Sequence, residues 1–175
     1  MKKSAIQIDP GYFSRYINVA GDGELYEELD KSLRVLDELD IKALERVGDQ
    51  VYAPGKWSLK TIFQHMIDTE RIFQYRALRF ARNDLTPLHG FEQDDYAKQA
   101  GEEGKDLAGL LEELKIVRRA GILLFRGLSS EALQRAGIAS GNELSVLAIG
   151  FLIVGHQIHH LNIIRSKYLP LGGRD

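Results

Sequence analysis

Apolar residues recur at helical spacing in four long segments of the chain. In the first segment, leucines stand three or four positions apart with charged residues between them: Leu25, Leu29, Leu33 and Leu36. This spacing is typical of an amphipathic helix with one buried face. The same pattern predicts helices over residues 24–39, 59–83, 106–126 and 143–168. Ser58 and Asn142 are the predicted N-caps of the second and fourth helices. The sequence therefore predicts an all-α protein, a four-helix bundle.

The connections between these helices are long. Residues 84–104 are polar and acidic, and because a structureless loop of this length is uncommon, we expect a short helix there or packing over another part of the chain. Residues 41–51 are ambiguous and could form a short helical turn, and residues 129–141 are rich in turn formers. No alternation of apolar and polar residues is long enough to predict a strand. Long connections also mean that a simple up-down-up-down order is not required.

Length and composition indicate one globular domain over residues 1–175, with residues 1–22 as an extended or partly ordered N-terminal arm. The formal net charge of −2 argues against a nucleic-acid partner. The longest apolar stretch, residues 144–155, is shorter than the roughly 20 residues that cross a bilayer, so we expect no membrane partner. The chain has no cysteine and no apolar run after its first lysines, and we expect a cytoplasmic protein.

The histidines are the candidate metal ligands of this sequence. Three of the five stand in the window His156-Gln157-Ile158-His159-His160 of the fourth predicted helix. Residues four apart share a helix face, so His156 and His160 can bind one divalent ion, although the pair His156 and His159 is an alternative. His65, on the apolar part of the second predicted helix, is the candidate third ligand. Three neutral imidazoles leave a position for water or substrate, as catalytic zinc sites do.

Several residues near these histidines are weaker candidates for a role at the metal site. Asp68 and Thr69 lie three and four positions after His65, and either could accept a hydrogen bond from the second ring nitrogen of a ligand. Glu70 and Arg71 are predicted to belong to a charged helix surface, and His89 to a loop without a role. The metalloprotease pattern H-E-x-x-H is absent, because Gln157 follows His156.

Two stretches resemble the DinB/YfiT-like superfamily of metal-dependent enzymes. Residues 56–60 (Lys-Trp-Ser-Leu-Lys), His65 and residues 68–77 are similar to its second helix, and residues 155–163 with Tyr168-Leu169 are similar to its last helix. The resemblance implies a DinB-like four-helix bundle, commonly a homodimer, with nickel or zinc held by His65, His156 and His160. It also implies a choice between hydrolases and S-transferases that use low-molecular-weight thiols.

The functional prediction is a metal-dependent enzyme that acts on a small molecule. It is either a hydrolase or a thiol S-transferase, and without cysteine any thiolate must arrive with the substrate. A transferase needs a pocket that recognises the anionic groups of its thiol, and the sequence leaves open which of four arginines faces the site: Arg71, Arg76, Arg79 or Arg82. The alternative is a metal-stabilised binding module without turnover, in which protein groups fill the coordination sphere.

Overall fold

The computed structural model describes residues 1–101 and 104–173. Its α-helices are α1 (Ser14–Ile17), α2 (Leu25–Asp37), α3 (Ile41–Val47), α4 (Leu59–Ala81), α5 (Gln93–Lys98), α6 (Leu107–Arg126), α7 (Ser130–Gln134) and α8 (Val146–Ile163). Its strands are β1 (Ala136–Ala139) and β2 (Asn142–Ser145). Short 3-10 turns span Lys3–Ala5, Gly11–Phe13 and Leu169–Gly172, and a π-helical turn spans Ile164–Tyr168. The predicted helical bundle is confirmed, with α2, α4, α6 and α8 as its long helices.

The start of the last helix differs from the prediction. Ser145, not Asn142, is the N-cap of α8, and its hydroxyl accepts a hydrogen bond from the amide of Ala148. Residues 142–145 instead pair antiparallel with residues 136–139 across a turn at Ser140 and Gly141, which both have positive φ. Positive φ at both central residues suits a two-residue hairpin. Strands of four residues are too short to show a clear alternation, which is why the sequence predicted none.

The long helices are not packed in the order of the sequence. α2 contacts α6 and α8, and α4 contacts the same two helices. α2 and α4, which follow each other in the chain, are therefore diagonal in the bundle. The segment that carries α3 leads from α2 across to α4, and the segment with α7 and the hairpin leads from α6 across to α8. Long connections make both crossings feasible.

The connection after α4 contains the expected short helix, α5, apart from residues 102–103, which lie outside the described residues. The N-terminal residues, predicted as an extended or partly ordered arm, form two 3-10 turns and α1. Phe13 and Ile17 from this segment are buried in the core, where α1 contacts α8.

The core is divided by a polar layer. One apolar cluster includes the start of α8, and the other includes its end together with the start of α4. The layer between them is formed by four of the buried polar side chains, one from each long helix: Ser32, Glu70, Arg118 and Gln157. Arg118 donates from Nε and Nη2 to the two carboxylate oxygens of Glu70, at 2.8 and 2.9 Å, and from Nη1 to Ser32 Oγ. Gln157 Nε2 donates to the Ser32 carbonyl at 2.9 Å. The layer therefore links all four long helices.

Residues 146–172 are long and apolar enough to span a membrane by length and composition alone. Within the bundle, however, 78% of the most hydrophobic window of this segment is buried by the rest of the protein. Such burial is what the central helix of a helical core shows.

Removing one side of the buried ion pair should destabilise the bundle strongly. We expect Arg118→Leu to lower the free energy of unfolding by about 3–5 kcal/mol, because it leaves the buried Glu70 carboxylate without a counter-charge. Urea denaturation of the variant and the wild type measures this difference. Arg126→Ala is the matched control, since Arg126 pairs with Asp30 at the surface, and its effect should stay below about 1 kcal/mol. A loss for Arg118→Leu as small as that of the control would show that the polar layer does not hold the bundle.

Candidate metal centre

The three histidines predicted as ligands meet inside the bundle. His65 lies on α4, and His156 and His160 lie one turn apart on α8, the helix packed against α4. His65 Nε2 is 3.1 Å from His156 Nε2, and His160 Nε2 is also 3.1 Å from His156 Nε2. All three side chains are buried, and one ring nitrogen from each lies within 4.8 Å of the other two.

Hydrogen bonds alone cannot account for this arrangement. A ring nitrogen of a neutral imidazole carries either one hydrogen or one lone pair, so His156 Nε2 can form a normal hydrogen bond with only one of its two neighbours. Two nitrogens bound to one ion at about 2.0–2.1 Å lie about 3.3 Å apart at a tetrahedral angle and about 2.9 Å apart at a right angle. The observed separation of 3.1 Å falls between these values. The donor set and its spacing therefore fit a divalent transition metal.

Burial keeps the three rings neutral, which is the protonation state that binds metals. Desolvation lowers the pKa of His65 to about 4 and that of His160 to about 3. For His156, burial and then the neighbouring ring of His160 lower the pKa well below its ordinary value. The negative charge of Asp94 acts in the opposite direction on His65 but is outweighed by burial.

Aromatic side chains surround the rings on several sides. Trp57 lies over His65, with the ring centroids 4.8 Å apart, and Phe73 is 6.0 Å from His156. Tyr16, on α1, contacts His156 with a centroid distance of 5.4 Å. Its approach depends on Gly155, because a Cβ there would lie 1.9 Å from the Tyr16 carbonyl oxygen. A glycine next to His156 thus lets the N-terminal segment cover the histidines.

The residues with weaker claims to a role at the site differ in whether they contact the three histidines. Thr69 Oγ1 is 3.4 Å from His65 Nδ1, so Thr69 can accept from that nitrogen and leave Nε2 directed at the other rings. Asp68 instead accepts a hydrogen bond from Gln64 at 2.8 Å. His159 is exposed and lies outside the three-histidine group, with its ring against Tyr16.

Two predictions about charged neighbours had different outcomes. Arg71 is a surface residue, as predicted, and pairs with Glu113 at 2.8 Å. The surface prediction for Glu70 is wrong, because Glu70 is buried in the ion pair with Arg118. Since Arg118 stands on another helix, spacing along α4 could not show that Glu70 has a partner inside the bundle. His89 is exposed in a loop, as expected.

A cleft of about 440 Å³ opens beside the histidines. His65 and His156 line it together with side chains from the N-terminal segment, from the 91–93 stretch and from the hairpin. A second cavity of about 300 Å³ reaches His160 and is also lined by Trp57 and Asp94. The three-histidine group is therefore accessible to small molecules from two sides.

Sequence reasoning missed the contribution of Tyr16, which lies in the segment predicted as an arm. A signal was present in Gly155, because a glycine inside a helix costs stability relative to alanine and often has a packing reason. The partner in that contact could not be inferred from the glycine itself.

Four long helices around a buried three-histidine group define a helical-bundle protein with a candidate metal centre. The family model of the DinB superfamily matches residues 24–164, and the chain belongs to this superfamily. Among solved structures it is similar to YfiT from Bacillus subtilis, described as a probable metal-dependent hydrolase with an unusual four-helix bundle topology. The TM-score is 0.64 at 20% identity, over 80% of this chain and 85% of YfiT, which shows a shared fold. Comparison with curated proteins found no match.

The buried histidines should make the metal-free protein sensitive to acid. In the unfolded chain a histidine has a pKa of about 6.5, well above the folded values of about 4 for His65 and about 3 for His160. The unfolded state therefore binds protons first as the pH falls, and stability should decrease progressively below pH of about 6.5. Urea denaturation of chelator-treated protein at several pH values measures this slope. His65→Gln should make the slope shallower, and His89→Gln in the exposed loop is the control; equal slopes for wild type and His65→Gln would contradict the assignment.

Proposed function

We propose that this protein is a metal-dependent hydrolase of small molecules, with His65, His156 and His160 as the ligands of a divalent transition metal such as zinc or nickel. The proposal rests on one observation: the Nε2 atoms of three neutral imidazole rings lie close together beside an accessible cleft. Membership of the DinB superfamily and the description of YfiT support the same reaction class. A divalent ion held there would supply Lewis-acid chemistry, which lowers the pKa of a water molecule and polarises a carbonyl group.

The surrounding side chains prepare the site for this chemistry. Thr69 fixes the orientation of the His65 ring, and Trp57, Phe73 and Tyr16 hold the rings in place and limit the access of bulk water. Tyr168 donates to the Trp57 carbonyl and so fixes the segment that covers His65. Rings that are immobilised before binding lose less conformational freedom when they take up an ion.

Asp94 is the proposed proton acceptor. Asp94 is the second residue of α5. Its side chain is exposed and lines the cavity that reaches His160. The negative charge of Asp94 acts to raise the pKa of His65. An ionised carboxylate beside a reacting water can accept its proton as a general base.

Thiol transfer is the second candidate activity. The chain provides no cysteine thiolate, so a thiol would have to enter the cleft as a co-substrate. The cleft of about 440 Å³ has room for a small thiol or for an ester, and its size does not favour one over the other. Homodimer formation, a cytoplasmic location and the absence of nucleic-acid or membrane partners stay predictions from the sequence.

Metal content and turnover test the proposal together. We expect about one zinc or nickel ion per chain by elemental analysis. Turnover of activated esters or amides should require the ion. His65→Ala and His156→Ala should lose the ion and reduce turnover at least about 100-fold, because each removes one of three ligands.

His159→Ala is the matched control, since it removes an exposed neighbouring imidazole and should retain both metal and activity. Thiol-dependent turnover of an electrophile, without ester or amide hydrolysis, would favour the transferase. Metal binding without turnover in either assay would favour the binding module, and protein that takes up no ion would contradict the metal site.

Asp94→Asn should separate catalysis from metal binding. We expect kcat to fall about 10- to 100-fold with unchanged metal content, because the amide cannot accept a proton at neutral pH. Asp95→Asn is the matched control, since Asp95 is exposed and pairs with Lys98 at 2.9 Å. Equal activities for the two variants would exclude Asp94 as the base.

A further inference from the structure

Among the residues that the structure describes, two arginines are almost completely buried, and their surroundings differ. Arg118 is 1% exposed and is neutralised by both carboxylate oxygens of Glu70. Arg76 is 2% exposed, but its Nη2 donates to neutral groups, the His89 carbonyl at 3.1 Å and Ser140 Oγ at 2.9 Å. Among residues 1–101 and 104–173, no carboxylate forms an ion pair with Arg76. A buried cation without a counter-charge is unfavourable unless an anion reaches it.

Arg76 lines the same cleft as the histidines. His65, Thr69, Phe73 and Arg76 stand at steps of four, four and three along α4, so they form one stripe on the wall of the cleft. Arg76 Cζ is 6.0 Å from the centre of the Phe73 ring, which is in turn 6.0 Å from the centre of the His156 ring. One small molecule can therefore reach both the guanidinium group and the three-histidine group.

The other walls of the cleft are largely aromatic. Tyr12, Phe13, Tyr16 and Phe91 line it in addition to Phe73. Its one lining carboxylate among the described residues, Glu92, is exposed and makes no ion pair with Arg76. Aromatic walls favour an apolar or aryl body, and a guanidinium group favours a carboxylate through charge-assisted hydrogen bonds.

We infer that Arg76 binds the carboxylate of the substrate, and that the substrate class is small carboxylates with an apolar or aryl body. The inference rests on the proposed function, because it names the substrate of the same site. Burial lowers the pKa of Arg76, but a guanidinium group stays charged at neutral pH, so it remains able to bind an anion.

Other arginines on α4 are less suited to this role. Arg71 pairs with Glu113, and Arg79 pairs with Asp84. Arg82 is exposed at the C-terminal end of the helix and does not line the cleft. The structure thus selects one of the four arginines that the sequence left open.

Binding to the metal-free protein tests the inference separately from the reaction. The probes are 3-phenylpropionate and its neutral amide, compared by calorimetry or by NMR titration at neutral pH and low salt. We expect the wild type to bind the carboxylate at least about tenfold more tightly than the amide. Arg76→Gln should abolish this preference, and Arg76→Lys should retain part of it.

Two control variants separate anion binding from a purely structural role. Ser140→Gly removes the hydroxyl that Arg76 contacts and suits the positive φ of residue 140, so it should keep the preference for the carboxylate. Arg82→Gln removes a positive charge from the same helix outside the cleft and should also keep it. If Arg76 only fastens the hairpin and the loop at His89, Arg76→Gln and Ser140→Gly will change the binding of both probes alike.

The inference is overturned if the wild type shows no preference for the carboxylate, including no detectable binding at millimolar concentrations, or if Arg76→Gln keeps the preference. The wild-type comparison does not depend on any variant folding correctly. Since no metal is present in this assay, failure of carboxylate recognition is distinguishable from failure of the proposed hydrolase, which the metal and turnover measurements address.

Discussion

The polar layer across the middle of the bundle sets how the four long helices pack against one another. Arg118, buried at the centre, needs the carboxylate of Glu70, and the geometry of that pair fixes α4 against α6. Ser32 and Gln157 then connect α2 and α8 to the same layer. Because a buried charge without its partner costs several kcal/mol, this layer permits little change in the relative positions of the four helices. His156 immediately precedes Gln157, so the same constraint fixes the position of the candidate metal centre.

The candidate site is built from two parts of the structure: the four long helices, and the connecting and N-terminal segments that cover them. The long helices supply the three imidazoles from a buried level, where desolvation keeps the rings neutral. The N-terminal segment, the stretch around α5 and the hairpin supply the walls of the cleft, and they come from parts of the chain far apart in sequence. The two buried arginines also differ in this way, one lying within the bundle and the other at the cleft. Arg118 is neutralised within the bundle, whereas Arg76 lies where the coverings meet and faces the cleft.

Local signals in the chain predicted some features of the structure correctly and others wrongly. Ser58 was identified as an N-cap because capping is a local interaction, and its hydroxyl accepts from the amide of Thr61. Asn142 carried the same local signal, yet pairing with residues 136–139 placed it in a strand. Glu70 was assigned to the surface because nothing in α4 distinguishes an acid that faces solvent from one that faces Arg118. The spacing of His156, His159 and His160 left two pairs open, and packing against α4 brought His156 and His160 next to His65.

Local patterns in the chain were enough to predict the helical class, the approximate extent of the long helices and the candidate metal ligands. These features depend on the periodicity of apolar residues and on side-chain chemistry, which are local properties of the chain. Local patterns could not show that α2 and α4 are diagonal, that Glu70 pairs with Arg118, or that Arg76 and the histidines line one cleft. Each of these features joins residues far apart in the chain, and their contact is settled by how the helices pack and where the long connections cross, which no local spacing encodes.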